Sequence, residues 1–492
     1  MEKHSGSPGL EDSGVGDSGQ AAGLLKVRVE DSTFVVERSL LARSCEYFRA
    51  LFRSGMRESQ QDELHLRGGL RPRGFLVALA AAQGERPVIL DPEELLEAAE
   101  CAAFLQVEAL ASHLADILDT DNCLLLYHAA AIFGLWGLYH SAAAFLRDSY
   151  RDLRDVAEQT LPEDMLQYVQ SLSSASFVAL GTHTPSMKIL QDSFRNVCYL
   201  DEEEKAWRHL TDLPIDASTS MAGVAVMDNR LYVIGGVRGV SKVAVDRSFC
   251  FDPVLGEWSE FDGPQQPRYN YTLVGHEGRL YAVGGEYEKQ VMSSVEAFDV
   301  SKAEWAFVKH TPRPVASPAS AVCRRRMFLC FWKPPETTDI YEYEADNDDW
   351  TLATKLVRSQ SYGHCMVAHR DNLYVMRNGP CDDFLRCLMD CYNITTRQWT
   401  ALPGHYINSK GALFTAVVRG DSAFTVNRAV TLEFQICRER WKPRKEMTGF
   451  PKSGSLWTCL LRLPGRLKNE DRNGQENDQE AAGEGVVNDQ PS

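Results

Sequence analysis

Tryptophan recurs at a nearly regular interval through the second half of the chain, and this repeat limits the possible folds more than any other feature. Successive members are separated by 51, 47, 45, 49 and 42 residues. The six are Trp207, Trp258, Trp305, Trp350, Trp399 and Trp441. Self-similarity at a period of roughly 40 to 50 residues is typical of repeat folds such as propellers, in which each repeat is one structural unit.

Other residues recur in register with the tryptophans. An aromatic lies seven residues before five of the six, and an apolar–aromatic step lies further upstream of the same five. The aromatics are Phe251, Phe298, Tyr343, Tyr392 and Phe434. The steps are Leu231-Tyr232, Leu280-Tyr281, Met327-Phe328, Leu373-Tyr374 and Ala423-Phe424. A unit of this length with four short strands predicts a propeller blade, because neighbouring blades bury their repeated rings against each other.

Two of the steps end in a diglycine, Gly235-Gly236 and Gly284-Gly285. Glycine permits positive φ and close approach where strands crowd the central channel. The first repeat has three predicted strands, and the segment Ser455–Leu463 beyond the last tryptophan has the pattern of a lone strand. We therefore predict six blades, with the C-terminal strand completing the first blade and closing the ring.

The region before the repeats, from Leu24 to about Ser173, has a different texture. Lys26–Val36 alternates in the manner of a strand pair around Asp31-Ser32. Glu94–Leu118 and Cys123–Tyr150 carry apolar residues at helical spacing, and Leu161–Leu172 continues the helical part. The residues predicted to share a face of the first helical stretch are Leu95, Leu96, Ala99, Ala103, Leu110 and Leu114.

Composition excludes several classes of function. The chain has 52 Lys and Arg against 68 Asp and Glu, a net charge of -16, which argues against nucleic acid or an anionic membrane as partner. We expect no transmembrane helix and no signal peptide, since apolar runs of the required kind are absent, and we expect the 13 cysteines to be reduced. Residues 1–23 and the acidic stretch 464–492 are predicted to be disordered tails.

Several segments resemble a known family. DNRLYVIGG followed by FDPVLGEW, and EGRLYAVGG followed by FDVSKAEW, resemble kelch repeats. FVVERSLLARSCEYFRALFRSGMRESQQDELHL and EELLEAAECAAFLQVEALASHLADIL resemble the core and closing helices of a BTB domain. NCLLLYHAAAIFGLWGLYHSAAAFL resembles the start of a BACK domain. Over about 24–463, the chain is similar to the kelch-like and kelch-repeat-and-BTB proteins.

The resemblance implies a multidomain protein of α+β and all-β parts. An α/β BTB domain would span 24–118, a truncated helical BACK region 119–175, and a six-bladed kelch-type β-propeller 176–463. Proteins of this family are substrate adaptors of cullin-3 ubiquitin ligases: the BTB domain dimerises and binds cullin-3, and the propeller captures the client.

The family's cullin contact includes an apolar residue, any residue, and then Glu, which Met56-Arg57-Glu58 matches. The resemblance therefore assigns cullin binding to Met56 and Glu58, since an apolar side chain with a carboxylate at its rim makes a suitable anchor. The alternative is that Met56 packs internally and Glu58 is a solvated charge at a helix end.

The sequence departs from the family pattern at several points. Glu37-Arg38 stands where the first BTB helix usually begins with basic residues, LAAAQGERPVIL replaces an aromatic-rich helix end, and the BACK region is short. The diglycine is replaced by Cys330-Phe331, Arg377-Asn378 and Asn427-Arg428 in the fourth, fifth and sixth blades. We expect these blades to form, with reshaped inner loops, because their aromatic anchors remain.

Loops between the second and third strands, and between blades, line the client face in kelch propellers. Here they include Val237–Val243, Glu286–Val291, Lys333–Thr338, Gly379–Leu385 and the inter-blade segment GPQQPRYNY. The predicted client-binding residues are Arg238, Lys242, Arg268, Tyr269 and Tyr287, because Arg and Tyr are frequent in binding hot spots. The run Arg324–Arg326 is either a solvated turn or a contact for an acidic client.

Metal and catalytic chemistry find little support. Cys381, Cys387 and Cys391, with His364, Cys365 and His369, have spacing that fits a structural zinc site poorly and suits small-residue packing in a strand. Cys323, before the Arg324–Arg326 run, is the best candidate for a reactive thiol. Catalytic motifs are absent, and the 12 histidines are too scattered for a copper oxidase centre, so we expect no metal, no cofactor and no enzyme activity.

The sequence thus predicts a non-catalytic, homodimeric adaptor with cullin-3 and an unidentified client as partners, and without nucleic acid or membrane. The alternative is a cytoskeletal or signalling scaffold whose BTB domain only dimerises. The Met56–Glu58 surface and the short BACK region discriminate between the two. We expect the protein in the cytoplasm, with the nucleus or the cytoskeleton as alternatives.

Overall fold

A computed structural model describes residues 23–465 apart from 90, 184–194, 240, 334–336, 358–361, 379–384, 408–414, 427–430 and 448–455. The chain divides into two compact units. One runs to Leu118 and includes Leu124–Ala142; the other holds Asp119–Cys123 and continues from Ala143. Both predicted disordered tails lie outside the described residues, except for Gly23 and the Pro464-Gly465 pair. None of the helices described is long and apolar enough to cross a bilayer.

The first unit contains a three-stranded sheet. Its strands are β1 (Leu24–Val29), β2 (Ser32–Glu37) and β3 (Glu63–Leu66), with β1 in the centre, antiparallel to β2 and parallel to β3. Along β1 exposed and buried residues alternate, so that Leu25 and Val27 face the core. The predicted strand pair is confirmed.

Among the described residues, nine α-helices precede the propeller strands. They are α1 (Arg38–Ser44), α2 (Glu46–Arg53), α3 (Pro72–Ala82), α4 (Pro92–Leu105), α5 (Glu108–Asp116), α6 (Cys123–Phe133), α7 (Trp136–Asp148), α8 (Tyr150–Thr160) and α9 (Glu163–Ser171). The two long helical stretches of the sequence are each broken. Gln106 (φ 52°) ends α4, and Gly134 (φ 71°) separates α6 from α7, because a left-handed residue cannot continue a right-handed helix. Leu96 is 37% exposed, so the predicted shared face is wrong at that position.

Helices α3 and α4 approach each other through a glycine. The backbone N–H of Gly74 donates to Glu97 Oε2 at 3.2 Å, and a Cβ at Gly74 would lie 2.5 Å from the Glu97 carbonyl oxygen. The buried Glu97 carboxylate thus accepts from a backbone N–H in the neighbouring helix, as a buried polar group requires. Phe48 and Phe75 are fully buried in the same unit.

The second unit contains six four-stranded antiparallel sheets within the described residues, each of which we call a blade. The first three are β31 (Leu456–Arg462), β4 (Ala175–Gly181), β5 (Asn196–Asp201), β6 (Ala206–Asp212); β7 (Gly223–Met227), β8 (Arg230–Ile234), β11 (Arg247–Asp252), β12 (Glu257–Asp262); and β13 (Thr272–His276), β14 (Arg279–Val283), β17 (Val295–Asp299), β18 (Glu304–Val308).

The next three blades continue the same order along the chain. They are β19 (Ala319–Cys323), β20 (Arg326–Lys333), β21 (Thr337–Glu344), β22 (Asp349–Val357); β23 (Tyr362–His369), β24 (Asn372–Asn378), β25 (Leu385–Asn393), β26 (Gln398–Ile407); and β27 (Thr415–Arg419), β28 (Ser422–Val426), β29 (Thr431–Gln435), β30 (Arg440–Pro443). Two short ribbons stand apart from the blades: β9 (Val237–Arg238) with β10 (Val243–Ala244), and β15 (Glu286–Tyr287) with β16 (Gln290–Val291).

The repeated aromatics pair across neighbouring strands of one blade. The residue seven positions before each tryptophan is its cross-strand partner, with ring centroids 4.8 to 5.2 Å apart in the five aromatic pairs. The pairs are Phe251–Trp258, Phe298–Trp305, Tyr343–Trp350, Tyr392–Trp399 and Phe434–Trp441. In the first blade, Leu200 takes the aromatic's place opposite Trp207.

The same tryptophans also join each blade to the preceding one. Each indole N–H donates to an oxygen of the blade before it, at 2.6 to 3.3 Å. The acceptors are Thr211 Oγ1 for Trp258, Asp262 O for Trp305, Lys309 O for Trp350, Thr354 Oγ1 for Trp399, Pro403 O for Trp441 and Met447 O for Trp207. The interval between tryptophans in the sequence is therefore the distance along the chain from one inter-blade hydrogen bond to the next.

The diglycines end the second strand of their blades. Gly235 and Gly284 have φ of 65° and 62°, and a Cβ at Gly284 would collide with the backbone carbonyl of Val315. Where Cys330-Phe331 replaces the diglycine, β20 continues without a break and pairs with β21 as far as Lys333. Loss of glycine has thus lengthened the strand, and the aromatic anchors still pair as expected. Asn427-Arg428 lie outside the described residues.

Gly284→Ala should destabilise the propeller much more than Gly278→Ala. Both positions have positive φ, but a Cβ at Gly278 meets no atom within 4 Å. We expect a loss of about 1 kcal/mol at Gly278 from backbone strain alone, and of about 3 kcal/mol or more at Gly284, where the collision adds to it. Urea unfolding followed by tryptophan fluorescence measures both; equal losses would contradict the close approach.

Candidate functional site

The Met56–Glu58 segment is displayed on the surface of the first unit. The Met56 side chain is 61% exposed, and Glu58 is also exposed, within the 3-10 helix Arg57–Gln60. Internal packing of Met56 is therefore excluded. Ser59, which is buried, holds the turn from inside: its N–H and its hydroxyl both donate to the Met56 carbonyl, at 3.0 and 2.6 Å.

Arg38, part of the departure from the family pattern, supports this turn. Its Nη1 donates to the Ser59 carbonyl at 3.0 Å, and Nη2 donates to the Gln61 carbonyl. The guanidinium also lies 5.2 Å from the centre of the Phe52 ring, a cation–π distance. Arg38 thus fixes the end of the 3-10 helix, and the apolar side chain and the carboxylate project beside it into solvent.

Three of the five predicted client-binding residues lie on exposed ribbons of the propeller. Arg238 and Lys242 belong to the β9–β10 ribbon, with Arg238 Nη2 3.6 Å from Asp216 Oδ1 and its side chain 48% exposed. Tyr287, 36% exposed, is on the β15–β16 ribbon. Both ribbons connect the second and third strands of their blades, so they lie on the same face of the propeller.

The other two predicted client-binding residues, Arg268 and Tyr269, are buried. Arg268 is 2% exposed and Tyr269 6%. The Arg268 guanidinium donates to the carbonyls of Ala282, Gly284 and Ser294 at 3.0 to 3.3 Å, and to Glu296 Oε1 at 2.5 Å. It thus bonds the backbone carbonyls around the diglycine turn, from which the β15–β16 ribbon begins. The expectation that these two side chains face a client is corrected accordingly.

Glu296 was the signal that could have revealed this role. It is fully buried between Val295 and Ala297, and a buried carboxylate requires a cationic or hydrogen-bonding partner. An acid recurs at the equivalent position: Glu296 and Asp390 each lie nine residues before a repeat tryptophan. Asp390 is likewise buried and pairs with Arg377, one of the residues in place of a diglycine.

The Arg324–Arg326 run forms a tight turn between β19 and β20, and each of its members has a carboxylate partner. Arg324 pairs with Asp371, Arg325 with Glu277, and Arg326 with Glu342. Cys323 is buried, and its Sγ lies 2.9 Å from the Arg370 carbonyl oxygen. The thiol is thus shielded from solvent, which contradicts the reactive-thiol hypothesis.

The cysteines considered for zinc are packing residues in the described part of the chain. No cluster of three His, Cys, Asp or Glu side chains suited to a metal occurs among the described residues, and Cys381 and the His364 side chain lie outside them. Burial raises the pKa of Cys365 to about 11 and of Cys387 to about 12. These thiols remain protonated at neutral pH and are poor ligands.

Residues 334–336 and 379–384, from two predicted client loops, are also outside the described residues.

Residues 119–123, which belong to the same compact unit as the propeller, dock on Asp421. Thr120 donates to Asp421 Oδ2 from its N–H at 2.9 Å and from its hydroxyl at 2.8 Å, and His369 Nε2 lies 3.0 Å from Oδ1. Arg370 Nη2 lies between two carboxylates, 2.8 Å from Asp119 Oδ2 and 3.5 Å from Asp421 Oδ1. Burial would raise the pKa of Asp421, but the contacts with His369, Thr120 and Arg370 lower it to about 2.

Arg268→Ala should destabilise the propeller strongly, whereas Arg238→Ala should not. Removing Arg268 leaves the buried Glu296 without its cation, which we expect to cost about 3 to 5 kcal/mol. Arg238 is solvated, and its removal should change stability by less than about 0.5 kcal/mol. Chemical denaturation of both variants tests this. Similar stability of the two would return Arg268 to the candidate client contacts.

Asp421→Asn should weaken the protein in a pH-dependent manner. Because the pKa of Asp421 is depressed from 3.8 to about 2, its ionised form contributes stability above pH 4, and this contribution disappears as the pH falls towards 2. The difference in unfolding free energy between the wild type and Asp421→Asn should be about 2 kcal/mol at pH 5 and smaller at pH 3. Denaturant midpoints at the two pH values measure it, and an unchanged difference would argue against this role.

Comparison with known proteins identifies the architecture. Residues 174–379 match the KLHDC2/KLHL20/DRC7 Kelch-repeats domain family. Kelch repeat and BTB domain-containing protein 13 of Homo sapiens is 52% identical over 90% of this chain and 95% of its own length. Kelch-like protein 42 of Mus musculus is 28% identical, over 90% of this chain and 99% of its own length. Because Kelch repeat and BTB domain-containing protein 13 is 52% identical over 90% of this chain, the chain belongs to the BTB-kelch family.

Proposed function

We propose that the protein is a non-catalytic substrate adaptor of a cullin-3 RING ubiquitin ligase. The exposed Met56, beside Glu58 at the position of the family's cullin contact, is the observation that carries this proposal. An exposed apolar side chain with an acidic neighbour is suited to insert into a pocket of a partner protein. Ubiquitin transfer would be done by the recruited ligase, and this chain contributes proximity between ligase and client.

The proposed domain organisation places a BTB domain at 24–118, a short BACK region at 119–175 and a propeller of six blades at 176–463. Two contacts support a ring closed by the C-terminal strand. Strand β31 pairs with β4 over seven residues, from Leu456–Gly181 to Arg462–Ala175. The Trp207 indole donates to the Met447 carbonyl, as the other tryptophans do to their preceding blades. Closure would leave no blade edge unpaired between first and last.

The proposed homodimer would use the sheet edge and helix face of the BTB domain. A groove there is lined by β2, α1 and α3, and three of its apolar side chains, Leu24, Val35 and Leu76, are 54 to 61% exposed. Exposed apolar side chains gathered in one groove mark an interaction surface. A second copy is the occupant that the family's dimerisation assigns to it, and two propellers in one dimer would add avidity for clients with paired sites.

The proposed client surface consists of the two exposed ribbons. Arg238, Lys242 and Tyr287 provide charge and an aromatic ring, and Val243 and Val291, 58% and 46% exposed, add apolar area. Buried Arg268 would act beneath them as a positioning residue. Backbone hydrogen bonds between Tyr269 and Glu286, at 2.7 and 3.0 Å, attach the β15–β16 ribbon to the inter-blade segment.

Met56→Ala should weaken binding of the full chain to the cullin-3 N-terminal domain by about thirtyfold, the effect of losing an interface hot spot. Glu58→Ala should have a smaller effect because the carboxylate is at the solvated rim. Arg38→Ala should also weaken binding, since it releases the turn that presents Met56. Isothermal titration calorimetry measures all three.

Val88→Ala is the matched control for the loss of an exposed apolar side chain, since Val88 is 75% exposed in a loop of the same unit. Its affinity for cullin-3 should equal that of the wild type. A dimeric wild-type protein that does not bind cullin-3 at micromolar concentrations would contradict the adaptor proposal. It would favour the alternative function, a scaffold whose BTB domain only dimerises.

A further inference from the structure

A narrow recess lies where the first and last blades meet α8. The space inside it that a water-sized molecule can reach is small, about 20 Å³. The lining residues are Arg151, Leu200, Glu202, Lys205, Arg419, Phe424, Arg444 and Met447. We propose that this recess binds a phosphoryl group, either of a free phosphate or of a phosphorylated side chain. The proposal is independent of cullin-3 and of the client surface.

The recess has a charge opposite to that of the molecule. Four of its eight lining residues are cationic and one, Glu202, is anionic, in a chain whose net charge is -16. Its floor is apolar, formed by Leu200, Phe424 and Met447, which pack in one core cluster. Ionic contacts over an apolar floor are screened less than those on an open surface, so an anion held there would be bound more strongly.

Arg419 is held rigidly at one side of the recess. Its guanidinium lies 4.4 Å from the centre of the Phe177 ring and 5.8 Å from that of Phe424. Nη1 donates to the Ala175 carbonyl at 3.0 Å and Nη2 to Glu202 Oε1 at 2.6 Å. A guanidinium fixed in this way loses little conformational entropy when it binds a further oxyanion. The Glu202 carboxylate already shows that Arg419 binds oxyanions here.

Arg444 is fixed at a second side. Its Nε lies 2.7 Å from Glu433 Oε2, and both side chains are largely buried, at 13% and 4% exposure. The Ser422 hydroxyl donates to the other oxygen of Glu433, at 2.8 Å, which holds the carboxylate in place. Two ordered guanidinium groups therefore border one small recess, and guanidinium geometry matches the oxygens of a phosphoryl group.

Arg151 and Lys205 complete the cationic lining from the exposed side. Both are solvent-exposed, and within the described part of the chain neither makes an ion pair. Arg151 is in the first turn of α8 and Lys205 in the turn between β5 and β6. Their long side chains have the freedom to close over an anion at the mouth. The narrowness of the recess favours one tetrahedral group over a larger ligand.

A phosphoryl group here would join parts of the chain that are distant in sequence. Lys205 belongs to the first blade, Arg419 and Arg444 to the last, and Arg151 to the helix before the propeller. A ligand bound by all of them in the folded state stabilises that state. Phosphate should therefore raise the melting temperature of the whole protein beyond the effect of chloride at equal ionic strength.

The test is calorimetric titration of the full chain with inorganic phosphate, at constant ionic strength, with melting temperatures measured in parallel. Arg151→Gln/Lys205→Gln should weaken phosphate binding about tenfold or more and abolish the rise in melting temperature. Both side chains are exposed, so the variant should fold. Lys302→Gln/Lys309→Gln, which removes two cations exposed by 67% and 58% on another blade, should bind phosphate as the wild type does.

Glu202→Gln provides a change in the opposite direction. It removes the carboxylate that competes for Arg419, so phosphate should bind about fivefold more tightly. A peptide of acetyl-Gly-phosphoserine-Gly-amide, beside its unphosphorylated form, distinguishes the sources: tighter binding than inorganic phosphate assigns a phosphorylated side chain, and weaker binding a free anion. Absence of binding by both probes, or equal binding by the wild type and Arg151→Gln/Lys205→Gln, would overturn the proposal.

Discussion

The hydrogen bond from each repeat tryptophan to the preceding blade is the constraint on which the second half of the molecule depends. One side chain makes two contacts: its ring packs across its own blade, as Trp305 does on Phe298, and its N–H donates to a carbonyl or hydroxyl oxygen of the preceding blade. Replacement by phenylalanine would keep the first contact and lose the second. This double use explains why tryptophan persists where the diglycine has been lost, and why its spacing equals the length of a blade.

The sequence was informative where a residue type has a single physical use. Glycine at 284 predicted positive φ, and the repeated rings predicted packing between neighbouring blades, as Tyr281 of one blade packs on Tyr343 of the next. It was less informative for charged residues, since a charge in a loop is usually solvated. Arg268 is buried because Glu296, 28 residues further along the chain, needs a partner, and nothing in the residues next to Arg268 indicates that pairing. The break at Gln106 was similarly hidden, since glutamine favours helices.

In each compact unit, buried polar contacts hold a segment whose side chains are exposed. In the first, an ordered turn held by Arg38 and Ser59 displays the exposed Met56 side chain. In the second, the buried Arg268–Glu296 ion pair lies beneath a ribbon whose Tyr287 and Val291 side chains are exposed. In both, buried polar groups position exposed ones, so that binding residues can change without loss of the fold.

The mass of the complex in solution shows whether the protein is a dimer that binds a cullin. Sedimentation equilibrium of the full chain with the cullin-3 N-terminal domain should give an assembly of two chains with two cullin domains, since each copy displays its own Met56–Glu58 segment. A dimer whose mass does not change when the cullin domain is added would mean that this chain is not a cullin adaptor.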